Sequence, residues 1–151
     1  AGGSFPGYIA DGNSFGYRQD GNLFTNGNTT SGKTTWASNG DFLGLAIDCD
    51  NNAIYAHVNG TYVDSGDPTS GASKTGGVAL TTGNSDYSAS DYFYIGASQN
   101  INSGVLQANY GGYTTDAGSS GNTDANGYGN FEYAVPSGYY ALCTKNLAEY
   151  G

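Results

Sequence analysis

The chain has no methionine, one tryptophan, one histidine, two cysteines, three prolines and four lysines and arginines in 151 residues. The scarcity of histidine and of cations excludes whole classes of function. A single histidine, His57, cannot supply the paired imidazoles of a zinc-hydrolase helix. Four scattered cations, Arg18, Lys33, Lys74 and Lys145, against 13 acidic residues leave a net charge of −9. A phosphate backbone or an anionic lipid surface is repelled by such a chain, so neither nucleic acid nor membrane insertion is expected. No apolar run is long enough to cross a bilayer. The opening residues, 1–10, carry no basic–apolar–small secretion pattern and read as a mature terminus or a processing cut. Charged residues are 11% of the chain, against about 25% in ordinary soluble domains. Helical periodicity is also missing.

What is abundant is glycine (26 residues), tyrosine (14) and, with them, Asn, Ser and Thr. Short apolar or aromatic runs alternate with turn residues, the pattern of an all-β sandwich or barrel. Segments 14–18 and 22–26 flank Gln19-Asp20-Gly21, a hairpin-like break. The most apolar run is 42–50. Strands over 53–58 and 61–63 are separated by Asn59-Gly60, the strongest hairpin signal in the chain. Further strands are expected at 78–80, 91–98, 104–111, 131–135 and 138–147. Loops are expected at 27–40, 64–77, 81–90 and 111–130. Phe42, Leu45, Ile47, Ile54, Phe93, Ile95, Leu106 and Leu142 read as core by alternation. The length fits one domain, 1–151.

Candidate chemistry is sparse. Asp48, Asp50 and Asn52 open like a calcium loop, but Ala53 stands where the loop needs glycine and Asn59 where it needs glutamate. A polar hairpin turn is the plainer reading. His57, in an alternating strand, reads as a solvent-facing side chain. Cys49 and Cys143 read as buried free thiols, with an intramolecular disulfide as the alternative. A glycosidase carboxylate pair would draw on Glu132, Glu149 or the 11 aspartates, most of which sit in turns and bond their own backbone. No catalytic residue, metal site or cofactor is therefore assigned. The aromatics in polar stretches, Trp36, Tyr87, Tyr113 and Tyr128, are the candidate binding residues. Each combines an apolar face with a polar tip.

The order of motifs carries a resemblance. GLAIDCDNNAIYAHVNG (44–60) is similar to the middle motif of SPRY domains. YFYIGAS (92–98) and VLQANYGG (105–112) resemble two late strands of that family, and SFGYRQDGNLFTNG (14–27) an early stretch. FEYAVPSGYYALCTKNL (131–147) resembles the ending of SPRY-like modules in tailed-phage and other viral structural proteins. The resemblance implies a bent two-sheet antiparallel β-sandwich of the concanavalin-like, jelly-roll type. It also implies a non-catalytic role in which loops at one edge bind a partner. The family begins with strands that precede the part matched here, so the chain reads as the C-terminal part of a larger virion protein.

The resulting expectation is a virion or extracellular structural and adhesion module, such as a tail fibre, appendage or capsid-surface domain. Its partners would be other virion subunits, copies of itself, or a host-surface glycan or protein. The alternatives are an extracellular lectin-like domain and a surface-glycan hydrolase. Absent first strands would leave a sheet edge open next to the first or last strand, which predicts an oligomer.

Overall fold

The computed structural model describes residues 14–25, 27–80, 94–97, 104–112 and 120–150. The chain divides into two compact units, Ala1–Tyr87 and Ser88–Gly151. The described residues hold two antiparallel sheets and one α-helix.

The first unit carries both sheets. Strands β1 (Phe15–Tyr17), β2 (Leu23–Thr25) and β3 (Asn28–Thr30) form a meander. The turn between β1 and β2 is held by its own side chains. Asp20 pairs with Arg18 and accepts the Asn22 N–H at 3.2 Å. That pairing holds the Asp20 carboxyl down at about 2. Leu23 and Phe24 are both buried, so β2 is covered on its two faces.

The second sheet is built on β5 (Ala53–Val58). Strand β4 (Leu43–Asp48) pairs along one side of it in six consecutive one-to-one pairs, Leu43 opposite Val58 through Asp48 opposite Ala53. The other side takes β6 (Thr61–Tyr62) beside His57 and Val58, and β7 (Val78–Ala79) beside Ala53 and Ile54. The β5–β6 turn follows directly from its residues. Asn59 and Gly60 both have positive φ, 50° and 81°, the backbone that a two-residue type I′ hairpin requires. The Asp48–Asn52 string is likewise a hairpin turn. Both Asp48 oxygens are occupied by Asn51, through its N–H and its side-chain amide, each at 2.9 Å.

Alternation along β5 places Ile54, Ala56 and Val58 on one face and Ala53, Tyr55 and His57 on the other. On the first face, Ala56 and Val58 join Val63 in a buried cluster packed against Tyr17, Trp36 and Leu43. This cluster ties the two sheets together through Tyr17. On the second face Tyr55 is 1% exposed. The excursion 63–77, which leaves after β6 and returns at β7, lies against it. A Cβ on Gly77 would stand 2.6 Å from the Tyr55 ring. The excursion is stiffened internally: Asp67 Oδ1 accepts the N–H and hydroxyl of Thr69, and Ser70 Oγ accepts the Thr75 N–H at 2.9 Å. Lys33 clamps its start through a 2.6 Å ion pair with Asp64.

The second unit departs from the expected strands. Phe131 makes an isolated antiparallel bridge with Asn122, and 132–143 carries no strand. Thr144–Tyr150 is α-helix α1, where the sequence suggested the end of a strand. A buried carboxylate holds the chain just before the helix. Asp124 Oδ2 accepts the Ala141 N–H at 2.8 Å, and the Asn146 side chain donates to the Ala141 carbonyl at 2.9 Å. The Ala141 N–H is thus taken by a side chain, and its carbonyl, which also accepts the Cys143 N–H at 2.8 Å, is taken within its own segment, so neither joins a ladder. At 94–97 and 104–108 the described residues form no strand either, and Tyr94 and Val105 are 93% and 84% exposed.

The expected core is corrected accordingly. Ile54 is buried; Phe42 and Ile47 are half-buried; Leu45, Ile95, Leu106 and Leu142 are exposed. Phe93 lies outside the described residues. Alternation identified faces, but it does not say which face a neighbour covers. Both cysteines are free, as expected, but Cys49 is exposed and Cys143 half-buried rather than fully buried. Among the described residues no helix is long and apolar enough to cross a membrane.

Candidate functional site

Trp36 is held by its N–H to the Gln19 carbonyl at 3.0 Å, and its ring packs on the Ala56–Val58–Val63 cluster. Its indole N–H is buried without a hydrogen-bond partner. Trp36 is thus half-buried as a plug between the sheets, where its polar surroundings in sequence suggested display. Tyr128 is committed to its own unit. Its hydroxyl donates to Glu149 at 2.5 Å and Lys145 sits 4.7 Å over its ring. The bond to Glu149 pushes its phenol up to about 12. Tyr87 and Tyr113 lie outside the described residues.

His57 is half-buried, not solvent-facing. Its neighbours across the sheet are Gly44 and Tyr62. A Cβ at Gly44 would lie 2.0 Å from His57 Nε2, so the absent side chain is what makes room for the imidazole. Tyr62 meets the ring edge-on at 5.3 Å, and Nδ1 accepts the Gly60 N–H at 3.2 Å. Burial lowers the His57 pKa below its ordinary value, favouring the neutral ring. The Cys49 thiol is pushed up by partial burial and by Asp50 and Asp48 beside it, the opposite of what a nucleophile needs. Among the described residues no three His, Cys, Asp or Glu side chains converge to hold a metal.

A groove of about 620 Å³ runs along α1 in the second unit. Tyr140, Leu142, Leu147 and Tyr150 form its walls, and all four are more than half exposed. Asn126 and Asn146 give it a polar floor, joined by a 3.0 Å bond between their amides. Asp124 anchors this floor. The Asp124 carboxylate is buried and accepts four hydrogen bonds. Oδ1 takes the N–H groups of Asn126 and Tyr128, both at 2.9 Å. Oδ2 takes the Ala141 N–H and the Asn146 amide at 2.8 and 2.6 Å. Burial alone would raise its pKa; the four donors outweigh it and hold the carboxyl below its ordinary value. Behind the groove, the Phe131 ring fits against two glycines of positive φ: a Cβ at Gly129 would meet the ring at 2.6 Å, and one at Gly111 would meet Ala141 at 2.8 Å.

Sequence reading missed this groove. Its wall residues lie in a stretch that alternates like a strand, and a helix of seven residues is too short to show a period.

No family model, curated protein or solved structure matches this chain.

Proposed function

We propose that this chain is a non-catalytic binding module of a virion surface, a tail-fibre, appendage or capsid-surface element of the SPRY-like, concanavalin-type sandwich class. It engages a host-surface glycan or a neighbouring subunit. The observation that carries the reading is the groove along α1. Exposed tyrosines and leucines stand over a polar amide floor that a buried network holds still. Such a surface suits a neutral ligand with apolar faces and hydroxyl groups, since stacking and amide hydrogen bonds need no charge. The motif order over 14–27 and 44–60, where the paired strands β1, β2, β4 and β5 lie, supports the class. The scarcity of cations argues against anionic polymers as ligands.

A glycan array and a host-cell binding assay test it, run on the wild type and on Tyr140→Ala and Tyr150→Ala. Binding that falls at least about tenfold in either variant, with the fold intact, supports the reading. Undiminished binding in both variants overturns the groove as the site. Release of reducing sugar from host capsule would replace the reading with a glycan hydrolase.

A further inference from the structure

The outer edge of β4 differs from the other strand edges of the first unit. β1 and β3 are three residues long, and β3 is Asn-Thr-Thr, fully exposed and polar. β4 is six residues long, Leu-Gly-Leu-Ala-Ile-Asp, and is the end strand of its sheet. The main-chain directions along it follow from one bond: Asn59 donates to the Phe42 carbonyl at 2.9 Å. Main-chain groups in an antiparallel pair alternate inward and outward. Gly44, Ala46 and Asp48 therefore bond toward β5, while Leu43, Leu45 and Ile47 turn their N–H and C=O groups outward. Among the described residues no strand takes them.

Exposed edges are normally blunted by lysine, proline or a bulge. β4 has none of these. Its pairing with β5 is unbroken, its residues include no proline, and no lysine or arginine occurs from 39 to 73. The side chains of Leu43, Leu45 and Ile47 share one face, where Leu45 is 40% exposed.

We infer that β4 pairs antiparallel with β4 of a second copy of this chain, joining the two sheets edge to edge about a twofold axis through Leu45. The strand is self-complementary in that register. Leu45 faces Leu45, and Leu43 faces Ile47 of the second copy, so all three outward-turned residues meet their counterparts and exchange up to about six main-chain hydrogen bonds. Their side chains continue one apolar row across the junction. The charge pattern also fits. Asp48 falls opposite Phe42, Asp41 opposite Cys49 and Asp50 opposite Gly40, so no carboxylate directly opposes another. A basic partner would find no such match along Leu43–Ile47, which carries no charge at all. This pairing goes beyond the ligand reading: a monomer would leave the groove's role intact, and loss of glycan binding would leave the pairing intact.

The test uses the 151-residue chain in sedimentation equilibrium and light scattering up to about 100 µM, where a modest strand-pairing affinity is visible. The expected result is a species of twice the 15.5 kDa chain mass. Leu45→Lys places two like charges on the axis, and Leu45→Pro removes an outward N–H that β5 does not use. Both should give monomers, with circular dichroism checking that each is folded. A mixture of Leu45→Lys with Leu45→Glu should restore the dimer, because unlike charges then face each other. A monomeric wild type, or a dimer that survives in either Leu45→Lys or Leu45→Pro, overturns the inference.

Discussion

Replacing Asp124 with alanine should unfold the second unit's network. The magnitude comes from its four donors. The Ala141 N–H and the Asn146 amide belong to residues only 5% and 8% exposed, so both lose a well-shielded partner when the carboxylate is gone. A buried donor left unpaired costs about 1–3 kcal/mol. The N–H groups of Asn126 and Tyr128 sit in half-buried residues and re-pair with solvent more cheaply. Against this, removing a buried charge relieves some desolvation. The balance is a loss of about 3–5 kcal/mol. Asp124→Asn should do little better, since its amide nitrogen must face one pair of donors with donors of its own. The assay is urea unfolding combined with hydrogen exchange at the Ala141 and Tyr128 amides. A loss below about 1 kcal/mol, with both amides still protected, would refute the claim that the carboxylate organises this unit. The pH dependence has a definite sign. Asp124 is held below its ordinary pKa in the fold, so its contribution is complete above the unfolded value of about 4 and disappears as pH falls through the folded value. Wild type should weaken in acid below about pH 4, and Asp124→Ala should show a flatter acid limb.

Gly44→Val should destabilise the first unit by about 1–3 kcal/mol, measured by thermal unfolding, because the new side chain must displace the His57 ring. Tyr55→Ala should cost about 3–5 kcal/mol, as for other large buried aromatics. Tyr55→Phe should cost under about 1 kcal/mol, because the contact between its hydroxyl and Ser70 is already 3.5 Å. In a spectrophotometric titration of the tyrosines, Tyr62 and Tyr128 should ionise among the last, near pH 12, Tyr62 through burial and Tyr128 through its bond to Glu149. Tyr128→Phe should remove one late-titrating group.

The first unit was largely legible because its turns are written in local chemistry. Gln19-Asp20-Gly21, Asp48–Asn52 and Asn59-Gly60 each specify a reversal within a few residues, and the strands β1, β2, β4, β5 and β6 lie within or upon the runs those turns delimit, whereas β3 falls in the expected loop 27–40. The second unit was not legible because its organiser acts at long range. Nothing near Asp124 in sequence says that it will take the Ala141 N–H, seventeen residues on. Residues 131–147 carry strand-like alternation, yet the Ala141 N–H goes to a side chain and Tyr139, Cys143 and Leu147 bond within their own segment instead of across a ladder. Trp36 shows the same limit for a single side chain. It stands among Thr, Ser and Asn, and only the convergence of Tyr17, Val58 and Val63 draws it inward. The groove, whose walls lie within 140–150, follows the second pattern through its floor, which Asp124 and Asn126 reach from a distance along the chain.

The excursion 63–77 has a bearing on how this chain can change. It departs from β6 and rejoins at β7, and both strands lie on the same side of β5. Its ends are thus fixed to one strand, and register there does not depend on the length between them. The inward positions are restricted, with Val63 and Pro68 buried and Gly77 pressed on Tyr55. Ala72 and Ser73, on the outer rim, are exposed. Extra residues inserted between those two would leave both anchors alone, and each doubling of a loop's length costs only about 0.6 kcal/mol in closure entropy. A foreign peptide grafted at that point should be carried outward on the tip of the excursion, with Tyr55 still sealed beneath its base.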